Sequence, residues 1–149
     1  MLNLALVALL TALQPSTTPQ PTPSAQPELA GQACTARELI GTWEITTKPS
    51  TPGVISVLKH ITPTHYFNVR IDAKDVVQSG HGGMYTIANG TYAETLAHGF
   101  GGRFEEFRGA TVTASQCRIN GDILHIVGEY KGVKLDEKWR RVVGTSAER

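Results

Sequence analysis

From residue 39 onward, apolar and polar residues tend to alternate with a period of two, and the runs are short and broken by turn residues. This is the pattern of half-buried strands rather than of helices, whose apolar positions recur every three to four residues. Asn-Gly, the strongest short hairpin signal, occurs at Asn89-Gly90 and Asn120-Gly121, and Lys131-Gly132 supplies a third tight turn. Together with Thr62-Pro63-Thr64 and the polar stretch 72–75, these turns predict about eight strands, over 39–47, 54–61, 65–71, 79–88, 91–99, 110–119, 122–130 and 133–143. Only 99–109 lacks a strand pattern. Eight consecutive strands with short connections predict an all-β, eight-stranded antiparallel up-and-down barrel, since closure removes the exposed edges. A two-sheet sandwich shares the same strand and turn spacing and is the competing architecture.

A two-residue turn fixes register, so facing follows from it. Around Asn89-Gly90, Ile87 opposes Tyr92 and Tyr85 opposes Glu94, with His81 opposite His98 if pairing persists. Tyr85, Ile87, Tyr92, Glu94, Leu96, His81 and His98 therefore share one face, and its large apolar members mark it as inward. Around Lys131-Gly132 the same construction puts Ile126, Glu137, Leu124 and Trp139 on the inner face, with Arg141 on the same parity. His125, Glu129, Lys134, Asp136, Lys138 and Arg140 fall on a charged outer face. Around Asn120-Gly121, Cys117 pairs with Leu124 and turns inward or to the rim.

The N-terminal fifth has a different character. Residues 1–13 contain an apolar run from residue 2, too short for the roughly 20 residues of a membrane-spanning helix and suited to a signal-like segment. No basic residue precedes it, and a buried helix is the alternative. Residues 14–32 are rich in Pro, Thr, Ser and Gln and read as a disordered linker, followed by the barrel at 33–145 and a tail at 146–149. Export places the barrel outside the cytoplasm, secreted or periplasmic, where Cys34 and Cys117 can form a disulfide. A lipid anchor on Cys34, after Gly31-Gln32-Ala33, is the alternative.

Fourteen Lys and Arg against 13 Asp and Glu, without clustering, give no footprint for nucleic acid. The histidines lack compact metal-ligand spacing, and no cofactor motif, phosphate loop or nucleophilic triad stands out. We therefore expect no metal and no cofactor, and a monomer without an integral membrane span once mature.

Leu39-Ile40-Gly41-Thr42-Trp43-Glu44-Ile45 resembles the Gly-x-Trp opening strand of lipocalins and the wider calycin superfamily. In those barrels a basic residue of the last strand lies across the Trp, a role that Arg141 matches in Lys138-Trp139-Arg140-Arg141. The segments 60–66, 82–86, 91–95 and 137–141 further resemble a bacterial family of uncharacterised lipocalin-like domains. This resemblance implies the barrel and supplies no activity. The expected site is an interior cavity for a small, partly apolar ligand, open near Gly82 and Gly99. Tyr85, Glu94, His98, Glu137 and His81 form its polar side, and Tyr92, Trp139 and Phe67 bury the ligand's body. Residues 99–109 would form a flexible lid. Two other readings stay open: a calycin-type enzyme using Glu94 with Tyr85 or His98 as acid and base, and a purely structural envelope domain.

Overall fold

A computed structural model describes residues 30–49 and 51–143, so the signal-like segment, nearly all of the linker and the final tail lie outside the described residues. The elements are β1 (Gln32–Ala33), α1 (Ala36–Leu39), β2 (Gly41–Ile45), β3 (Val54–Ile61), β4 (His65–Asp72), β5 (Val77–Ala88), β6 (Thr91–Thr95), β7 (His98–Phe100), α2 (Phe104–Phe107), β8 (Thr111–Asn120), β9 (Ile123–Tyr130) and β10 (Val133–Arg141). Strands β8-β6-β5-β4-β3-β2-β10-β9 are paired in that order, and β8 pairs with β9. Every neighbouring pair is antiparallel, so eight strands close into a barrel. Strand β1 adds to β8 and β7 adds to β5, so residues 30–32, within the segment expected to be linker, include the start of one strand of the sheet.

Two hairpins follow the register that their turns dictate. Tyr85 opposes Glu94 around Asn89-Gly90, and Trp139 opposes Leu124 around Lys131-Gly132. Asn89, Gly90, Lys131 and Gly132 all have positive φ, as a type I′ turn requires. The third hairpin differs: Asn120 pairs with Ile123, so Gly121 and Asp122 make the turn, and Cys117 opposes Ile126 instead of Leu124. The offset is two residues, which leaves every side chain on its expected face. Cys117 is accordingly fully buried.

The expected strand over 91–99 is interrupted. From Glu94 to His98 the chain advances four residues, while the opposing strand advances three, from Tyr85 to Gly82. At the break Ala97 N–H donates to the Gly82 carbonyl, and a Cβ at Gly83 would come within 1.9 Å of the Thr95 carbonyl oxygen. Only glycine allows this approach. The extra residue reverses parity beyond it, so His98 is exposed and opposes Gly82 rather than His81.

One end of the barrel is sealed. Thr35 caps α1 through a capping box with Glu38, and α1 delivers Leu39, fully buried, to the core. The Trp43 indole N–H donates to the Leu39 carbonyl at 2.8 Å. Arg141 lies 4.0 Å above the Trp43 ring and donates to the carbonyls of Ile40 and Glu38 at 2.9 and 2.6 Å. Gly41 has φ of +139°, and a Cβ there would meet the Arg141 guanidinium at 2.8 Å. The Gly-x-Trp spacing thus combines a backbone position that favours glycine with the ring that Arg141 covers. The Cys34–Cys117 disulfide joins the N-terminal arm to β8 across 83 residues of sequence, a closure that typically contributes about 2 to 4 kcal/mol. It occupies the sulfur that a lipid anchor on Cys34 would need.

Trp43→Ala is expected to cost about 3 to 5 kcal/mol, and Arg141→Ala less, with clear coupling between the two in a denaturant-based double-mutant cycle. Additive effects would separate the two residues.

Candidate functional site

Towards the other end the barrel interior opens into a cavity of about 520 Å³. Inward positions of every barrel strand contribute to it, among them Val57 and Lys59 (β3), Asn68 and Arg70 (β4), Ser79 and His81 (β5), Tyr92 and Glu94 (β6), Ala114 (β8), Ile126 (β9), and Glu137 and Trp139 (β10). Its rim is made by Pro49, Thr51, Gly101, Gly102, Arg103, Phe107, Tyr130 and Val133. The opening therefore lies beyond β7, at the β9–β10 turn and the 101–107 segment, and not at Gly82 and Gly99 as expected. Gly99 instead packs against Gly80 and Phe104. The expected lid contains α2: Phe104 is buried, the Phe107 and Tyr130 rings meet edge to face at 5.9 Å, and Arg103 and Arg108 pair with Glu106 and Glu105.

The centre of the cavity floor is a residue that the pattern had not singled out. Lys59 is only 2% exposed, and its ammonium donates to Glu94 Oε1 at 2.6 Å. The Tyr92 hydroxyl donates to the same oxygen at 2.5 Å. Three ring faces surround the ammonium, with centroids 4.7 Å away for Trp139, 5.5 Å for Tyr92 and 5.9 Å for Tyr66. Charge compensation, hydrogen bonding and cation–π contact together offset the desolvation of both ions. Burial first, then the Glu94 charge, pushes the Tyr92 phenol well above its ordinary value, so Tyr92 stays protonated as a donor. The Tyr66 hydroxyl is buried, with no hydrogen-bond partner among the described residues, and burial raises its pKa too.

A second polar group stands on the β4–β5 wall. Asn68 opposes His81 in register; the Asn68 amide lies 3.2 Å from His81 Nε2, and Arg70 donates to Nδ1 at 3.3 Å. Burial, followed by the Arg70 charge, lowers the His81 pKa to about 4, so the ring is neutral at physiological pH.

Five of the expected ligand-side residues line the cavity: His81, Tyr92, Glu94, Glu137 and Trp139. Three do not. Tyr85 faces inward as expected, but it sits towards the sealed end, donating to the Thr62 carbonyl at 3.0 Å, and it does not hydrogen-bond Glu94. His98 is turned outward by the break in the strand. Phe67 is 41% exposed on the outer surface, where its ring lies over Gly80 and Gly82; the inward aromatic of β4 is its neighbour Tyr66. The pairings of Glu94 with Tyr85 or His98, weighed as acid and base, are thus not assembled. Nor does Glu137 reach Arg141: it accepts from the Trp139 indole at 3.2 Å, while Arg141 serves the sealed end. Among the described residues no three His, Cys, Asp or Glu side chains converge as metal ligands would.

Two of the missed residues carried a usable signal. Once Ile61 and Tyr66 are taken as the inward pair flanking the 62–65 turn, Lys59 and Asn68 follow by parity. Comparison with known protein families and with curated proteins finds no match for this chain.

The neutral His81 has a measurable consequence. The folded ring titrates near 4 and an ordinary histidine near 6.5, so between those values only the unfolded chain takes up the proton. This contribution to stability is complete above about pH 6.5 and is lost as pH falls towards 4. Urea unfolding should show a larger loss between pH 7 and pH 4.5 in wild type than in His81→Gln. Equal losses would mean that His81 is not buried neutral.

Proposed function

We propose that this protein is an extracytoplasmic, lipocalin-like module that binds one small, partly apolar molecule inside the barrel. The observation that carries the reading is the cavity of about 520 Å³: apolar and aromatic walls combined with a few fixed polar groups are the usual composition of a small-molecule site. Filling the barrel with side chains would have served stability alone. Here the sealed end is filled and the other end is open, with Trp139 and Tyr92 facing the space from opposite walls. The disulfide supports an oxidising compartment, and no helix among the described residues is long and apolar enough to cross a membrane. The Gly41-x-Trp43 opening and the Arg141 contact support the calycin relationship.

The test uses the neutral fluorophore N-phenyl-1-naphthylamine. Wild type should bind it at one site with enhanced, blue-shifted emission, and Leu135→Trp, which places a bulky ring in the upper cavity, should abolish binding while leaving thermal unfolding nearly unchanged. No enhancement with wild type, or equal enhancement with the folded variant, would overturn the proposal.

A further inference from the structure

The charges inside the cavity do not all cancel within the protein. Lys59 and Glu94 neutralise each other, and Arg103 at the rim pairs with Glu106. Arg70 and Glu137 also line the cavity, and neither forms an ion pair among the described residues. Hydrogen-bond arithmetic distinguishes the two. Glu137 already accepts from the Trp139 indole. Arg70 can only donate, so His81 Nδ1, which receives its N–H, is the accepting nitrogen, and the single proton of the neutral ring sits on Nε2. The Asn68 atom facing Nε2 must then be the amide oxygen, because two donors cannot bond each other; the two ends of an amide exchange by a half-turn. The other end of the Asn68 amide is buried without a partner, in a side chain only 6% exposed. With the oxygen engaged by His81, this free end is the NH₂ group.

Arg70 and Asn68 occupy inward positions of β4 two residues apart: the Arg70 side chain lines the cavity, and the free Asn68 amide N–H lies buried beside it. Beyond the N–H that it gives to His81, the Arg70 guanidinium has unused donors, and among the described residues no acceptor meets them. Resting on the reading of the barrel as a binding module, we propose that its ligand carries a carboxylate, which seats against Arg70 while the apolar body lies among Tyr92, Trp139 and Phe104. A carboxylate matches the fork of a guanidinium. The neutral His81 fits this arrangement, since its Nδ1 lone pair orients the Arg70 side chain and adds no competing anion.

The experiment compares three probes that share one ring system: anthracene-9-carboxylate, 9-anthracenemethanol and 9-(aminomethyl)anthracene, each titrated calorimetrically at pH 7.5. The carboxylate should bind about ten- to a hundredfold more tightly than the alcohol, the range of a charge-assisted hydrogen-bonded contact. In Arg70→Gln that advantage should vanish, the carboxylate losing far more affinity than the alcohol, and Arg70→Lys, which keeps the charge without the fork, should retain part of it. The wild-type ranking tests the idea even if neither variant folds. Equal affinity for the carboxylate and the alcohol would overturn the carboxylate proposal and leave the binding cavity standing, and so would preference for the amine, which would point to Glu137. Binding of none of the three would count against the cavity itself.

Discussion

An ammonium and a carboxylate sit in the middle of this barrel, and much of the interior is arranged around them. Lys59 on β3 and Glu94 on β6 are separated by two intervening strands and meet at 2.6 Å. Either ion alone would be costly in a space walled by Trp139, Tyr92 and Tyr66; together, with the Tyr92 hydroxyl completing the carboxylate's partners, they are tolerated. A buried pair of this kind is seldom what makes a fold stable, since apolar residues of similar volume often serve as well or better. Its evident effect here is on the cavity floor, which acquires a fixed polar group within an aromatic setting.

The two ends of the barrel divide the labour. At the sealed end, Leu39, Trp43 and Arg141 interlock through three backbone carbonyls and a ring face, and the disulfide ties the N-terminal arm to the wall. That rigidity holds β2 and β10, and through β10 it fixes Trp139 and Glu137. At the open end the cavity occupies the interior, and α2 brings Phe104 and Phe107 to its lining. The glycine-rich outer face of β5 is covered by Phe67 and Phe100, whose rings lie where side chains at Gly80 would otherwise stand. The inward face of the same strand is then free to carry Ser79 and His81.

How much of this the sequence discloses depends on the length of each connection. Where two residues join two strands, facing can be computed, and Tyr92, Glu94, Glu137 and Trp139 were placed inside on that basis. Even the misplaced turn near Asn120 did no harm, because a two-residue offset preserves parity. His98 went astray because a single extra residue at Leu96 and Ala97 reverses everything after it, and its only trace in the sequence is the glycine pair at 82 and 83. Strands β3 and β4 follow the long connection after β2, so no turn fixes their facing relative to Trp43. Phe67 rather than Tyr66 is therefore the expected inward aromatic, and nothing in the pattern singles out Lys59. The polar centre was half legible for this reason: its acid was visible and its base was not.

The claim that Lys59 and Glu94 form one compensated interior unit is tested most directly by a double-mutant cycle on unfolding free energy, with Lys59→Met, Glu94→Leu and the double variant. Each single change should cost about 3 to 5 kcal/mol, because it strands the opposite charge inside the barrel. The double variant should cost clearly less than the sum, with a coupling of at least about 2 kcal/mol. Additive losses, or a Lys59→Met variant as stable as wild type, would contradict the account.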